Sequence, residues 1–141
     1  MKIPDVNILL SARDQTARHH ETARLWLETA LSGSETVGLA WTVLLGFLRI
    51  STNPRVYDQP LSVACALDQF DEWIDLSSTA LVAPTSRHQT VLRELIEAAG
   101  TAANLTTDAH LAALAIEHGA TLATFDGDFH RFNGLKLEYL G

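Results

Sequence analysis

TTDAHLAALAIEHGATLATFDGDFHRF, residues 106–132, is the stretch that decides the fold. Asp108 opens a segment dense in Ala and Leu that Gly119 closes. That predicts a helix over 108–118 with an acid in its first turn, where free N–H groups and the helix dipole favour a carboxylate. TLATFD then reads as a strand over 121–126 that ends on Asp126. A helix handing over to a short strand is half of an α/β crossover, and the rest of the chain repeats the alternation.

Upstream, residues 2–5 read as a first strand ending on Asp5, and 7–11 as a short helical turn. Ala23, Trp26, Leu27, Ala30 and Leu31 recur at helical spacing in a helix over 17–31, which Ser32-Gly33-Ser34 stops. Residues 36–39 form a short strand. WTVLLGFLRIS, 41–51, is an almost wholly apolar helix that should be buried on most sides, and Asn53-Pro54 ends it. Pro60 starts a helix over 61–75 in which Val63, Leu67, Phe70 and Ile74 share the apolar face. A strand over 79–83 stops at Pro84, a helix over 87–99 stops at Gly100, and LKLEYL, 135–140, alternates as an edge strand does. Strands separated by helices predict an α/β/α sandwich around a short, mostly parallel sheet. Residues 1–141 read as a single domain, large enough to bury its own core.

The net charge of −7, from 17 acids against 10 bases, argues against a protein that grips nucleic acid through a broad basic face. Hydrophobic and charged contents of 47% and 19% are those of an ordinary soluble globular chain. The single cysteine, Cys65, excludes an intramolecular disulfide, suits a reducing cytoplasm, and reads as a small core residue on a helix. MKIPDVN is no basic-then-apolar leader, and no apolar run approaches the roughly 18 residues of a membrane span. A soluble, cytoplasmic protein with no membrane partner is expected.

Asp5 and Asp126 both close strands, and open α/β sheets bind ligands beyond the carboxyl ends of their strands. If Asp108 and Asp128 join them, several like charges converge, and a cation is needed to keep them ionised together. Oxygen donors without Cys or His select Mg²⁺ or Mn²⁺, and such a site suits metal-assisted hydrolysis of a phosphodiester. Local sequence leaves other readings open. Asp108 serves equally as a helix N-terminal residue, and Asp126 in FDGDF as a turn residue. Asp5 has less structural reason to be where it is.

The segments IPDVNILLSA, HHETARLWLE, WTVLLGFLRISTNPRV, TTDAHLAALAIEHGATLATFDGDFHRF and GLKLEYL span essentially the whole chain. Together they resemble the PIN-domain family, most closely the VapC toxins of bacterial toxin–antitoxin pairs. The resemblance implies an endoribonuclease acting on structured RNA such as tRNA or rRNA, held in check by a VapB-type antitoxin and usually a homodimer. It makes Asp5 the N-terminal metal ligand, Asp108 the second principal ligand and Asp126 the acid after the last core strand. Asp128 is the neighbouring acid that binds a second metal or orients water, and Asn7 falls where the family places a small polar residue. One family feature is missing. A glutamate common early in the third helical segment is replaced by Thr42 or Gly46, and Glu35 in the preceding loop is not expected to reach.

Arg13 and Arg18, with His19 and His20, read either as a positive rim that steers RNA phosphate or as a solvated loop. Arg49 is expected to pair with the carboxylates, or else to approach phosphate. His110, two residues beyond Asp108 on a helix, should point elsewhere, while His130 and Arg131 should lie near the mouth of the site. Trp26, Trp41 and Trp73 read as core or interface. Residues 39–50 and 61–76 carry more apolar surface than one small sheet covers, which suggests a dimer interface or a groove for a partner segment. Two competing readings stand beside the ribonuclease. One is a metal-dependent phosphatase, although aspartate-nucleophile phosphatases carry Asp-x-Asp at the N-terminal strand, where this chain has Asp5-Val6-Asn7. The other is a PIN-like binding module with weakened catalysis.

Overall fold

The computed structural model describes residues 1–141. Five strands, β1 (Lys2–Pro4), β2 (Val37–Ala40), β3 (Thr79–Val82), β4 (Thr121–Thr124) and β5 (Lys136–Tyr139), form one sheet in the order β3-β2-β1-β4-β5. Every pairing is parallel, so the expected mostly parallel sheet is wholly parallel. Six helices connect and cover it: α1 (Val6–Arg13), α2 (His20–Ser32), α3 (Trp41–Ser51), α4 (Val63–Asp75), α5 (His88–Ala99) and α6 (Thr106–Glu117). Short 3₁₀ turns occupy residues 103–105 and 127–131.

The strand order fixes where a site can form. From β1 the chain steps outward to β2 and β3, then returns across the sheet to β4 beside β1. Right-handed crossovers in opposite directions put α1–α4 on one face and α5–α6 on the other. The packing agrees: α1 lies on α2 and α3, α3 on α4, and α5 on α6. The direction of winding reverses between β1 and β4, which opens a crevice at their carboxyl ends. β1 and β4 are registered Lys2 to Thr121, Ile3 to Leu122 and Pro4 to Ala123. Asp5 therefore leaves the sheet level with Thr124.

Several boundaries differ from the sequence reading for local physical reasons. The turn at 7–11 is a full helix, because the Asp5 carboxylate accepts the Val6 N–H at 2.7 Å and caps it. The helix expected from residue 17 starts at His20, because Asp14 accepts the Thr16 N–H and hydroxyl and folds 14–19 into turns. α4 is rotated relative to its hydrophobic pattern. Trp73 packs edge-on against Phe47, ring centres 4.8 Å apart, and buries with Ala66, while Val63 and Leu67 face outward. Cys65, expected in the core, is exposed as well, on a different side of α4. α3 was expected to be buried on most sides, yet its Trp41 and Leu45 are 46% and 57% exposed. Trp41 leans on Phe70 of α4, Trp26 is half-buried under Lys2, and Trp73 alone is a true core tryptophan.

In α6 the small residues let the helix approach its neighbours closely: Ala109, Ala112, Ala113 and Ala115 are all buried with Leu111 and Leu114. Gly38 plays a similar part in β2, where a Cβ would stand 2.6 Å from a Val82 methyl and 2.9 Å from the Met1 sulfur. Gly38→Ala is expected to destabilise the fold by about 1–3 kcal/mol through overpacking, read as a fall in the midpoint of chemical or thermal unfolding with the denaturant slope unchanged.

Candidate metal and phosphodiester site

Asp5 is 8% exposed, an unusual degree of burial for a carboxylate. Its placement is enforced from both sides. The Asp5 N–H donates to the Ala123 carbonyl at 2.9 Å, as β1 continues its ladder with β4. One carboxylate oxygen accepts from the Val6 N–H, and the other accepts from the Thr124 hydroxyl at 2.7 Å and the Asn7 amide at 3.0 Å. Thr124, wholly buried at the end of β4, accepts in turn from the Asn7 amide at 3.1 Å and the Asp126 N–H at 2.9 Å. The Asn7 carbonyl oxygen accepts the Phe125 N–H at 3.3 Å, and Asp126 accepts the Asp128 N–H at 2.8 Å. Asp5, Asn7, Thr124, Asp126 and Asp128 thus form one connected network across the β1–β4 crevice. Thr124 was missed in the sequence. The only signal was a hydroxyl at the end of the strand, two residues before an acid.

Asp108 comes from the other side, in the first turn of α6, and lines a cavity of about 630 Å³ with Asp5, Thr42, Gly46 and Arg49. Burial, and then the charges of Asp5, Asp126 and Asp128, push its pKa up to about 6, with Arg131 pulling the other way. Burial also raises Asp5; the Thr124 and Val6 hydrogen bonds oppose that rise and the Asp126 charge adds to it. The four sequence-selected aspartates therefore share one electrostatic neighbourhood. No three His, Cys, Asp or Glu side chains stand close enough together to hold one metal ion, so a cation held here would take fewer protein ligands and fill its shell with water. The donor set is all oxygen and anionic, which fits a hard cation such as Mg²⁺ or Mn²⁺.

The surrounding residues divide. Arg49, expected to pair with a carboxylate, is exposed at the cavity and takes part in no ion pair. Its position late on α3 turns its long side chain outward. Arg131 lies close enough to act on Asp108. Arg13 lines a neighbouring cavity instead, and Arg18 is on the exposed turn. His19 stacks on Phe125, ring centres 4.3 Å apart and nearly parallel, beside Asp126. His20 bonds the Ser11 carbonyl at 2.8 Å, and His130 bonds the Gly127 carbonyl at 2.9 Å. Glu35 pairs with the Met1 amino group at 3.1 Å, at the opposite end of the strands from the aspartates. Of the two positions for the missing acid, Thr42 faces the cavity. Gly46 is pressed on Val6, and a Cβ there would lie 3.2 Å from a Val6 methyl.

His110 points away from the carboxylates, as its spacing implied. Its Nδ1 lies 2.9 Å from His88 Nε2, and His88 Nδ1 meets the Glu117 carboxylate, which also accepts the Thr85 N–H at 2.8 Å and hydroxyl at 2.7 Å. The Glu117 side chain is covered by its partners. Its burial would raise its pKa, but the Thr85 and His88 hydrogen bonds bring it below the usual range. Burial and the facing His88 lower His110. This polar chain clamps α5 to α6 and fixes the helix that carries Asp108; nothing in the sequence spacing announced it.

A PIN domain family model matches residues 2–135, and the chain belongs to the PIN-domain family. Within that family it is of the VapC type. Ribonuclease VapC37 of Mycobacterium tuberculosis is 45% identical over 138 residues, 98% of this chain and 96% of the relative. Ribonuclease VapC33 of the same organism is 39% identical over 136 residues, 96% and 95% of the two chains. Among solved structures, VapBC2 from Rickettsia felis, bound to a DNA fragment from its promoter, superposes with a TM-score of 0.70 at 21% identity, covering 99% and 98%. VapBC-1 from nontypeable Haemophilus influenzae gives 0.70 at 10% identity, covering 98% and 96%. At those identities the structures support the fold, an α/β/α sandwich, and the sequence relatives support the family.

The raised Asp108 has a consequence for stability. Folding lifts this acid from 3.8 to about 6, so between those values the folded state holds more protons than the unfolded one. Stability therefore falls as pH rises through that window. With EDTA present, Asp108→Asn should be more stable than the wild type by roughly 1 kcal/mol at pH 7.5, after discounting for partial exposure. The gain should vanish below about pH 4, as measured by thermal unfolding across pH. A variant less stable at pH 7.5 would contradict the repulsion.

Proposed function

We propose that the chain is a Mg²⁺- or Mn²⁺-dependent endoribonuclease, the toxin of a type II toxin–antitoxin pair. The observation that carries this reading is the buried Asp5, held by Thr124 at the sheet's winding reversal, with Asp108, Asp126 and Asp128 close enough to repel one another. That charge cluster costs stability, and the one cation acting on Asp108, Arg131, does not bring its pKa back to the ordinary value. Asp5 and Asp108, with Asp126, would hold the divalent cation, and Asp128 would serve a second cation or an attacking water. The cation supplies charge neutralisation for the phosphodiester and activation of water.

The chain's own residues supply the rest. Thr124 and Asn7 keep the Asp5 carboxylate in one orientation, so no reorganisation is needed when a ligand arrives. Arg49 and Arg131 stand at the rim, where each offers a planar donor fork to phosphate. Structured RNA, tRNA or rRNA, is the proposed substrate class. Two features support partners. The solved relatives are described as VapBC assemblies, which supports a VapB-type antitoxin for this chain. Trp41, Leu45, Val63, Leu67 and Leu81 form exposed apolar surface along α3, α4 and the β3 edge, which suits a homodimer. No helix is long and apolar enough to cross a membrane, in keeping with a cytoplasmic site of action.

Purified chain incubated with total RNA and Mg²⁺ should yield discrete fragments. EDTA should abolish them, and Asp5→Ala and Asp108→Ala should each lower the rate by about 100-fold or more. Intact RNA under every condition, with the protein folded by circular dichroism, would falsify the ribonuclease reading. Thr42→Glu should tighten Mg²⁺ binding severalfold in calorimetric titration, whereas Gly46→Glu should gain less because Val6 must shift to admit its Cβ.

A further inference from the structure

A second cavity, of about 720 Å³, takes other residues of the same two helices that border the carboxylate site. The first takes Asp5 and Val6 at the start of α1 and the Thr42–Arg49 turns of α3. The second takes Leu10 and Arg13 further along α1, and Phe47 and Ser51 further along α3. Eight residues of helix separate Asp5 from Arg13, about 12 Å along the axis, a distance that a few nucleotides of single strand cover. The outer wall is the segment after α3, contributing Tyr57 and Gln59. That wall is preformed. The Val56 and Tyr57 N–H groups donate to the Asn53 carbonyl at 3.0 and 3.1 Å, Arg55 N–H donates to the Asn53 side chain at 2.9 Å, and Leu61 N–H returns to the Ser51 carbonyl at 2.9 Å.

The lining chemistry selects among occupants. Leu10, Phe47 and Leu61 give apolar walls, while Gln15, Gln59 and Tyr57 give neutral donors and acceptors. Ser51 is only 4% exposed and its hydroxyl has no hydrogen-bond partner in the protein, an unmade bond of the kind native structures rarely tolerate. Asp14 and Asp58 disfavour a bare phosphate, and Arg13 disfavours a cationic side chain. Burial and the Asp14 charge raise the Tyr57 phenol, so it stays a donor at neutral pH. A flat, uncharged heterocycle with polar edges meets all of these demands, and its linking phosphate would pass Arg13.

We propose that this cavity receives one unstacked base of the RNA substrate, a few nucleotides from the cleaved bond, and so sets a sequence preference at that position. The inference rests on the ribonuclease reading above. It separates pairing of the strand with the aspartates from recognition of a flanking base, in the way that sequence-specific RNA recognition splays single-stranded bases into pockets.

The test uses a short synthetic RNA spanning a cleavage site mapped on total RNA, and a series in which each flanking nucleotide in turn is made abasic. Wild type should lose about tenfold in kcat/KM at one flanking position and little at the others. Tyr57→Ala and Gln59→Ala should each lose activity on the intact RNA, yet lose little more on the RNA abasic at that position, because base and pocket act as one unit. Gln59 is exposed, so its variant keeps the test decisive if Tyr57→Ala unfolds. A flat abasic profile, or losses that multiply between variant and abasic RNA, overturns the proposal while leaving the ribonuclease reading intact. So do variants that alter only inhibition by a co-encoded partner protein, which would make the cavity a peptide site. A wild type that cuts no RNA overturns both readings.

Discussion

The Thr124 hydroxyl joins the last residue of β4 to the carboxylate that ends β1, and the rest of the site is arranged around that bond. A hydroxyl has one proton to give and lone pairs to receive with. Thr124 gives its proton to Asp5 and receives from Asn7 and from the Asp126 N–H, so it is fully used at a position with no access to water. The same atom thereby fixes an acid from each of the two strands that border the crevice. Backbone pairing alone sets these strands at the right height; the hydroxyl then orients the Asp5 carboxylate and anchors the Asp126 backbone.

That order is maintained against electrostatic repulsion. Asp5 is buried, Asp108 feels three other carboxylates, and only Arg131 relieves it. Hydrogen bonds to Asp5 offset part of the desolvation, but no donor does the same for Asp108. Its position is held mechanically instead, by the Ala-rich packing of α6 and by the Glu117–His88–His110 chain that ties α6 to α5. A site that stores repulsion in this way is poised for a ligand that neutralises it, and the stability lost by the free protein is recovered on binding.

The alternation of strands and helices was legible because each element carries its own local signal: Gly100 and Gly119 after helices, Pro84 after a strand, Asn53-Pro54 after α3. The aspartates at strand ends were legible for the same reason. What escaped was set by contacts between elements distant in sequence. The outward rotation of Val63 and Leu67 follows from the seating of Trp73 on Phe47, and no periodicity within α4 contains that choice. Thr124 and Asp5 are 119 residues apart, and Glu117 and His88 are 29 apart. Spacing rules do not reach across such separations. The family resemblance supplied the role of Asp108, which its local sequence left ambiguous, but it could not supply the partners that hold it.

A chain with net charge −7 that acts on a polyanion must solve a long-range problem that a basic protein never meets. The structure answers it locally. The acids that matter are grouped at the crevice, where a bound divalent cation would reverse their effect on an approaching phosphate; Arg49 lines that cavity, Arg131 acts on Asp108, and Arg13 lines the second cavity. Much of the remaining acid sits on solvated helix faces or in ion pairs such as Arg24 with Glu21 and Glu28. On the proposed reading, steering would be weak and docking would depend on the cation and on short-range contacts. Such a design favours selectivity over indiscriminate grip, because a substrate that offers only charge finds little to hold it, while one that also places a base and a scissile phosphate correctly meets the whole constellation at once.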